Sequence, residues 1–483
     1  MGEGTTVVPT GVQGLDAILR GGLPRGRIML IEGPPGSGKT TLALQTLLAG
    51  VARGETALFL SIAQSMPELE MIASGHGFDL SAIRVDSPDV GGDPGAGVYS
   101  VETDEAELLA LLERTYRLLD DAKPDIFVFD SLLELRLLAS SEAVYRRELL
   151  ALRRRLREVG ATAILLDHLD LGAGGERHTE GIAHGVIRFE AATPQIGAVR
   201  RRLLVSKLRG ALFREGWHDF RIGRGGLQVF PRVIPRETAG PPPKGTLRPE
   251  NETLAEMLGG GLEFGATMLI TGQSGTGKST LATLFARAAA AADVPAAMFL
   301  FEERPEVLRQ RSVALGLGFA AEEDAGALTL AHFDPAEVSP GQFSNAVIDA
   351  VEAGARLVVI DSLSGYRNAF NEPEALTTHL QALLQYLSRK EVLTIVTLAQ
   401  HGLLGEPPVT DIDASYLADS IILLRQYEAG AEIRRSIAVL KKRHSEHRRG
   451  VQELVIRAGS VDIQPLSDET AHRADRTPSL SGP

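Results

Sequence analysis

Cysteine is absent from the 483-residue chain. That removes disulfides, thiolate zinc sites and cysteine nucleophiles, and it fits a reducing, cytoplasmic setting. Also missing is any apolar stretch of the ~20 residues that a membrane span requires, so no membrane partner is expected. The opening residues, Met1-Gly2-Glu3-Gly4, lack the basic segment and apolar run of a secretory leader. Positive charge is in deficit: 50 Lys and Arg against 62 Asp and Glu leave a formal net charge of −12. That balance argues against a non-specific nucleic-acid coat, and nucleic acid is not an expected partner. The rest of the composition is that of a globular protein, 44% hydrophobic and 23% charged. At roughly 100–200 residues per domain, the length predicts two to four domains.

What is present is a duplication. GLDAILRGGLPRGRIMLIEGPPGSGKTTLA begins at Gly14, and TLAEMLGGGLEFGATMLITGQSGTGKSTLA begins at Thr253, offset by 239 residues without a gap. Further on, Ile126-Phe127-Val128-Phe129-Asp130-Ser131 matches Leu357-Val358-Val359-Ile360-Asp361-Ser362, and Lys207-Leu208-Arg209 matches Lys441-Lys442-Arg443. A period this long is a whole domain, not a solenoid repeat. Six prolines (231, 235, 241, 242, 243 and 249) mark the boundary. Proline fixes φ and lacks an amide donor, so the stretch reads as an extended linker. The predicted layout is a first domain over 5–232, a Pro-rich linker over 233–248, a second domain over 249–464 and a disordered polar tail over 465–483.

Short apolar runs at 28–32, 57–60, 163–166 and 268–271 do not alternate, which is how strands covered on both faces read. Between them lie helix-period stretches at 144–159 and 375–387. The expectation is an α/β fold: two domains in tandem, each a mostly parallel sheet flanked by helices.

Both repeats carry the phosphate-loop pattern G-x4-G-K-[ST] in strand–loop–helix context. In Gly33, Gly36, Ser37, Gly38, Lys39, Thr40 and Thr41, the glycines let backbone amides converge on phosphates beside a helix N-terminus. Lys39 would contact the β- and γ-phosphates of ATP, and Thr40 would ligate Mg2+. Gly272, Gly275, Thr276, Gly277, Lys278, Ser279 and Thr280 repeat the pattern. Asp130 and Asp361 each end an apolar run about 80–90 residues later, where a strand-end carboxylate can hold magnesium. A helix N-cap is the other reading of either aspartate.

Hydrolysis needs a group to orient or deprotonate water, usually a carboxylate. In the second half the run 297–301 ends in Glu302-Glu303, a pair suited to that task. In the first half, within a register uncertain by two residues, no carboxylate occupies the place, and Gln64 is the nearest polar substitute. The expectation is a first half that binds ATP and hydrolyses it slowly, and a catalytic second half. Lys441 and Arg443, two apart on a strand, point to one side, as do Lys207 and Arg209, and either pair can neutralise phosphate charge.

These residues together resemble the KaiC family of circadian-clock ATPases and autokinases, within the wider RecA/RadA-like group. The resemblance runs from about Thr10 to Gln464 and includes FLFEERPEVL from Phe299, IDSLSGY from Ile360 and DASYLADSIILL from Asp413. It implies two RecA-like phosphate-loop domains and a double-ringed homo-hexamer with ATP between neighbouring subunits. It also implies protein partners in a signalling or clock system. The family's catalytic glutamates match Glu302 and Glu303 and are missing from the first half. Lys207 with Arg209, and Lys441 with Arg443, would reach a neighbour's ATP in trans. The family's phosphoacceptor pair falls on Ser415 and Tyr416; Ser415 keeps a hydroxyl acceptor, whereas the tyrosine hydroxyl lies further from the backbone than a threonine's.

The arginines at 146, 147, 153, 154, 155 and 157 read as a solvated or subunit-facing helix surface. His444 and His447 lie among Arg443, Arg448 and Arg449, which would repel a metal cation. A DNA-handling motor of the RecA or RadA kind and a nucleotide-gated scaffold with little turnover are the competing functions, since fold does not fix function.

Overall fold

In a computed structural model, the described residues are 6–88, 101–168, 178–235, 245–367, 373–400, 416–429, 431–443 and 445–466. The chain forms two compact units, 1–232 and 233–483. Residues 236–244 of the expected linker and 467–483 of the expected tail lie outside the described residues, as does Ser415. The C-terminal end of the expected linker is structured. Thr246–Leu247 pairs with Leu262–Glu263, and Leu247 is buried in the second domain's core. Val7–Val8 does the same with Leu23–Pro24 in the first domain.

Each domain is built on a nine-stranded sheet among the described residues, and the two sheets have one strand order. Across the first, the parallel strands are Arg84–Asp86, Ala57–Ser61, Ile126–Asp130, Thr162–His168, Ile28–Gly33 and Gly185–Ala192. Arg200–Leu208, Trp217–Gly223 and Gly226–Phe230 extend it antiparallel. The second runs Leu328–His332, Ala296–Leu300, Leu357–Asp361, Leu393–Gln400, Thr267–Gln273 and Ser420–Ala429 in parallel. Glu432–Lys442, Gln452–Arg457 and Ser460–Pro465 follow antiparallel.

The central strands read as continuous apolar runs because both faces are covered. Ile126 and Val128 pack with Leu42 and Leu47 of the Lys39–Ala52 helix, while Phe127 and Phe129 pack with Leu149, Leu152 and Leu156 of Glu142–Val159. The latter helix starts at Ser141, whose hydroxyl accepts from the Val144 amide, and stops at Gly160 in the left-handed conformation. In the second domain Leu357 and Val359 face Leu281 and Phe285, and Val358 and Ile360 face Leu380, Leu383 and Leu387. Each such side chain contributes roughly 1.5–3 kcal/mol on burial. This sandwich holds the carboxyl ends of the parallel strands along one edge, where open α/β sheets bind ligands.

No helix among the described residues is long and apolar enough to cross a membrane.

Candidate nucleotide clefts

The Ile28–Gly33 strand delivers its chain to the loop at Gly33, and Thr267–Gln273 does so at Gly272. Only glycine fits there. A Cβ on Gly272 would stand 2.2 Å from the Leu424 carbonyl oxygen, and one on Gly33 would stand 2.7 Å from Phe189 Cβ. The loops then turn through Gly38 and Gly277, both with φ near +103° to +104°, into the helices that begin at Lys39 and Lys278. Lys39 Nζ donates to the carbonyls of Gly33 (2.8 Å) and Pro34 (3.0 Å), and Lys278 Nζ to those of Gly272 (2.9 Å) and Gln273 (2.8 Å). Burial lowers the pKa of both lysines, against the raising effect of nearby carboxylates: Asp130 and Asp167 for Lys39, Asp361 and Glu302 for Lys278.

Thr40 Oγ1 donates to Asp130 Oδ2 at 2.9 Å, and the Ser279 hydroxyl bonds Asp361. The structure thus brings each loop hydroxyl to the strand-end aspartate across the cleft. The N-cap of the following Leu132–Leu137 helix is Ser131, not Asp130, which removes the capping alternative for that residue. Burial pushes Asp130 up to about 6 and also raises Asp361, which additionally accepts from Thr397 Oγ1 at 2.5 Å. Two buried carboxylates held up in this way are sites that a cation would stabilise in the ionised form.

The loop side chains differ in one respect. Thr276 donates to the Gln273 carbonyl at 2.8 Å, whereas the equivalent Ser37 hydroxyl is buried without a hydrogen-bond partner. Thr41 and Thr280 lie in the first turns of the helices behind the loops; Thr41 meets His76 at 3.4 Å, and Thr280 accepts from Arg311 at 2.8 Å. Gly36 and Gly275, with φ of +72° and +76°, shape the loop crests.

Backbone pairing settles the register left open by sequence. Ser61 pairs with Asp130 as Leu300 pairs with Asp361. The next amides, Ile62 and Phe301, donate to the carbonyls of those same aspartates. Ala63 therefore stands where Glu302 stands, and Gln64 where Glu303 does. In the second domain Glu302 Oε1 accepts from Ser362 Oγ at 2.5 Å. Glu303 is held by Arg311 in a bidentate pair at 3.0 and 2.8 Å. The two adjacent glutamates thus have different settings.

Lys207 and Arg209 do not approach their own phosphate loop. Lys207 pairs with Val186 at the amino end of a strand parallel to Ile28–Gly33, the sheet edge opposite the loop. Its Nζ donates to the Glu180 carbonyl at 2.6 Å. Lys441, in the corresponding place, donates to Ala418 at 2.7 Å, and Arg443 donates to the Tyr416 carbonyl and meets Asp419. A register shift precedes each lysine, between Val186 and Ile187 and between Ile421 and Ile422.

Several functional neighbours were not singled out by sequence: Ser131, Ser362, Thr397, Arg311 and Asp167. Asp167 ends an apolar run as Asp130 does, so the same signal was available for it. Arg311 and Thr397 reach the cleft through helix and strand register alone and left no local mark.

A family model described as "ATPase: KaiC" matches residues 8–234 and again 251–468. A circadian clock protein KaiC3 of Synechocystis sp. is 30% identical over 472 residues, covering 94% of this chain and 91% of its own. A circadian clock oscillator protein KaiC of Rippkaea orientalis is 28% identical over 495 residues, covering 96% and 89%. The chain, with its two RecA-like sheets and paired phosphate loops, belongs to the KaiC family of ATPases.

Proposed function

We propose that both clefts bind ATP and that the second hydrolyses it through Glu302. The observation that carries this reading is the convergence of Lys278, Asp361 and Glu302 in one cleft, with Ser362 fixing one oxygen of the glutamate. The triphosphate lies along the loop 272–280, and the loop 33–41 holds a second. The orphaned hydroxyl of Ser37 supports a ligand there, since a buried polar atom costs free energy until it is paired.

Hydroxyl and carboxylate oxygens are hard donors suited to Mg2+, so Thr40 with Asp130, and Ser279 with Asp361, would hold it. The bound ion would neutralise charge on the phosphate oxygens. Glu302 then orients a water and takes its proton as the water attacks the γ-phosphorus. Glu303, neutralised by Arg311, keeps that arginine in place against Thr280 and does not compete for the proton.

Lys207 with Arg209, and Lys441 with Arg443, serve a neighbour's nucleotide. Each pair lies at the sheet edge away from its own loop, about 13 Å along the strand at ~3.3 Å per residue, so its target is on another chain. A ring, here a homo-hexamer, places one chain's pair at the next chain's cleft. Ser415 is the phosphoacceptor of an autokinase activity, and the assembly signals to protein partners of a clock or signalling system, as the relatives' names suggest. The family match favours this over a DNA-handling motor.

The test is native mass with and without ATP and Mg2+, together with phosphate release by the full chain and by Glu302→Gln. A ring that forms with ATP, and second-domain turnover lost in the variant while ATP still binds, are the expected results. Persisting second-domain turnover in that variant would remove Glu302 from its role, and label absent from Ser415 after incubation with γ-labelled ATP would end the autokinase reading.

A further inference from the structure

The first domain lacks a glutamate at the position of Glu302, yet it does not lack the hydrogen bond that such a glutamate makes. In the second domain the serine after the strand-end aspartate, Ser362, donates to Glu302 at 2.5 Å. In the first, the equivalent serine, Ser131, donates to Glu134 Oε2, also at 2.5 Å. Two carboxylates from different places in the chain thus meet the same hydroxyl of the same scaffold.

The side chains around them are exchanged to match. Counting from the aspartates, Glu134 occupies the position of Gly365. A Cβ on Gly365 would lie 2.5 Å from Phe301 Cβ and 3.7 Å from Glu302 Cγ, so a side chain there and a glutamate at 302 claim one space. The second domain resolves this with Glu302 and Gly365. The first resolves it with Ala63 and Glu134. The pattern is a transfer of one carboxylate from the strand end to the first turn of the neighbouring helix.

A helix cap is the plain alternative, because Ser131 and Glu134 have the S-x-x-E spacing of a capping box. The box is not formed. Ser131 accepts no cap hydrogen bond, whereas Ser65 and Glu68 elsewhere in this domain make both reciprocal bonds of a true box. The charge of Glu134 instead acts on Asp130 within the cleft. Among the described residues no other hydrogen bond engages the carboxylate of Glu134 or Glu302, so each keeps a second oxygen available.

We infer that Glu134 is the water-activating carboxylate of the first domain, making that domain a hydrolytic site with its base on a different element. This rests on the reading that the first loop binds ATP. In the step, the water oxygen bonds to the γ-phosphorus as the bond to the β,γ-bridging oxygen breaks. ADP leaves with that electron pair, the water's proton passes to Glu134, and inorganic phosphate is released.

The test uses the full chain carrying Lys278→Ala, which silences the second cleft. Phosphate release and equilibrium ATP binding are both measured. The background should retain turnover, and adding Glu134→Gln should lower kcat by about 100-fold or more while ATP binding is unchanged. Exchanging the pair, Ala63→Glu with Glu134→Gly, should restore turnover, which a merely structural glutamate would not allow. Turnover unchanged by Glu134→Gln, or no turnover in the background although ATP binds, overturns the assignment. Loss of ATP binding by the background itself overturns the phosphate-loop reading and the assignment with it.

Discussion

Beside its phosphate loop the second domain has Thr271, Leu398 and Leu423; at the same sheet positions the first has Glu32, Asp167 and Arg188. The scaffold is shared and the charge is not. In the first domain Arg188 bonds both Glu32 and Glu180, and Asp167 meets Arg136 at 3.3 Å. Burial nonetheless pushes Asp167 up to about 6, outweighing the lowering effects of Arg136 and the His168 amide, and Glu32 adds a smaller repulsion. A buried ionic group of this kind is weak evidence for stability. The contrast teaches that the strand order sets where chemistry can occur, while the strand-end residues decide how much charge each cleft carries before a nucleotide arrives.

A second contrast lies at the opposite sheet edge. His184 Nδ1 accepts from the Ile28 amide at 3.1 Å, and Asp419 Oδ2 accepts from the equivalent Thr267 amide at 3.0 Å. The structural task is identical, yet Asp419 also meets Arg443, whereas His184, lowered to about 4 by burial and by Arg27, Arg153, Arg209 and Arg157, is neutral at physiological pH. The first domain's edge is left the more cationic of the two.

The sharpest way to break the comparison is to remove the second domain's base. In a Lys39→Ala background, Glu302→Gln should reduce kcat on the order of 10²–10⁴-fold with ATP binding retained. Rapid-quench measurement of phosphate formation checks it.

Next comes the buried charge. Asp167→Leu copies the second domain. With a folded pKa of about 6 against an ordinary 3.8, the ionised carboxylate opposes folding above pH 6. The penalty fades as pH falls from about 6 to below 4, where folded and unfolded states are both protonated. The variant should gain up to about 3 kcal/mol at pH 8 and nothing at pH 4. Urea unfolding at the two pH values checks the sign.

Gly365→Ala should destabilise the second domain by roughly 1–3 kcal/mol, because the added carbon overpacks Phe301. The change at the first domain's counterpart, Glu134→Ala, should leave stability far less affected. Thermal melting of the paired variants checks this. The smallest effect is at the edge: His184→Asp gives Arg209 a partner and should weaken first-cleft turnover by only a few-fold, or about 1 kcal/mol, with reduced salt sensitivity.

How much of this was legible in sequence follows from how each residue reaches the cleft. The phosphate loops were legible because a contiguous turn makes them, although Gly33 is also constrained by Phe189 and Thr40 by Asp130, each from a distant strand. Asp130 and Asp361 were visible as carboxylates that end apolar runs, but the sequence also allowed a helix N-cap at each, and it took the structure to give that role to Ser131 instead of Asp130. Glu302 and Glu303 were visible as a pair, but their opposite settings were not, since Arg311 and Ser362 come from other elements. Glu134 was hidden by a decoy: it has the spacing of a helix cap, and only the shared serine exposes its likeness to Glu302. The register of Ala63 and Gln64 could not be fixed by identity alone, and needed the amides of Ile62 and Phe301 on their aspartates.

One detail of the loops bears on anion entry. Each loop lysine already rests its ammonium on two carbonyls of its own turn. An entering anion must therefore draw that ammonium off a ready-made neutral perch. Exchanging those two carbonyl contacts for charge-assisted contacts to phosphate oxygens is a step that any anion must drive before it gains from the loop, and both clefts set it alike.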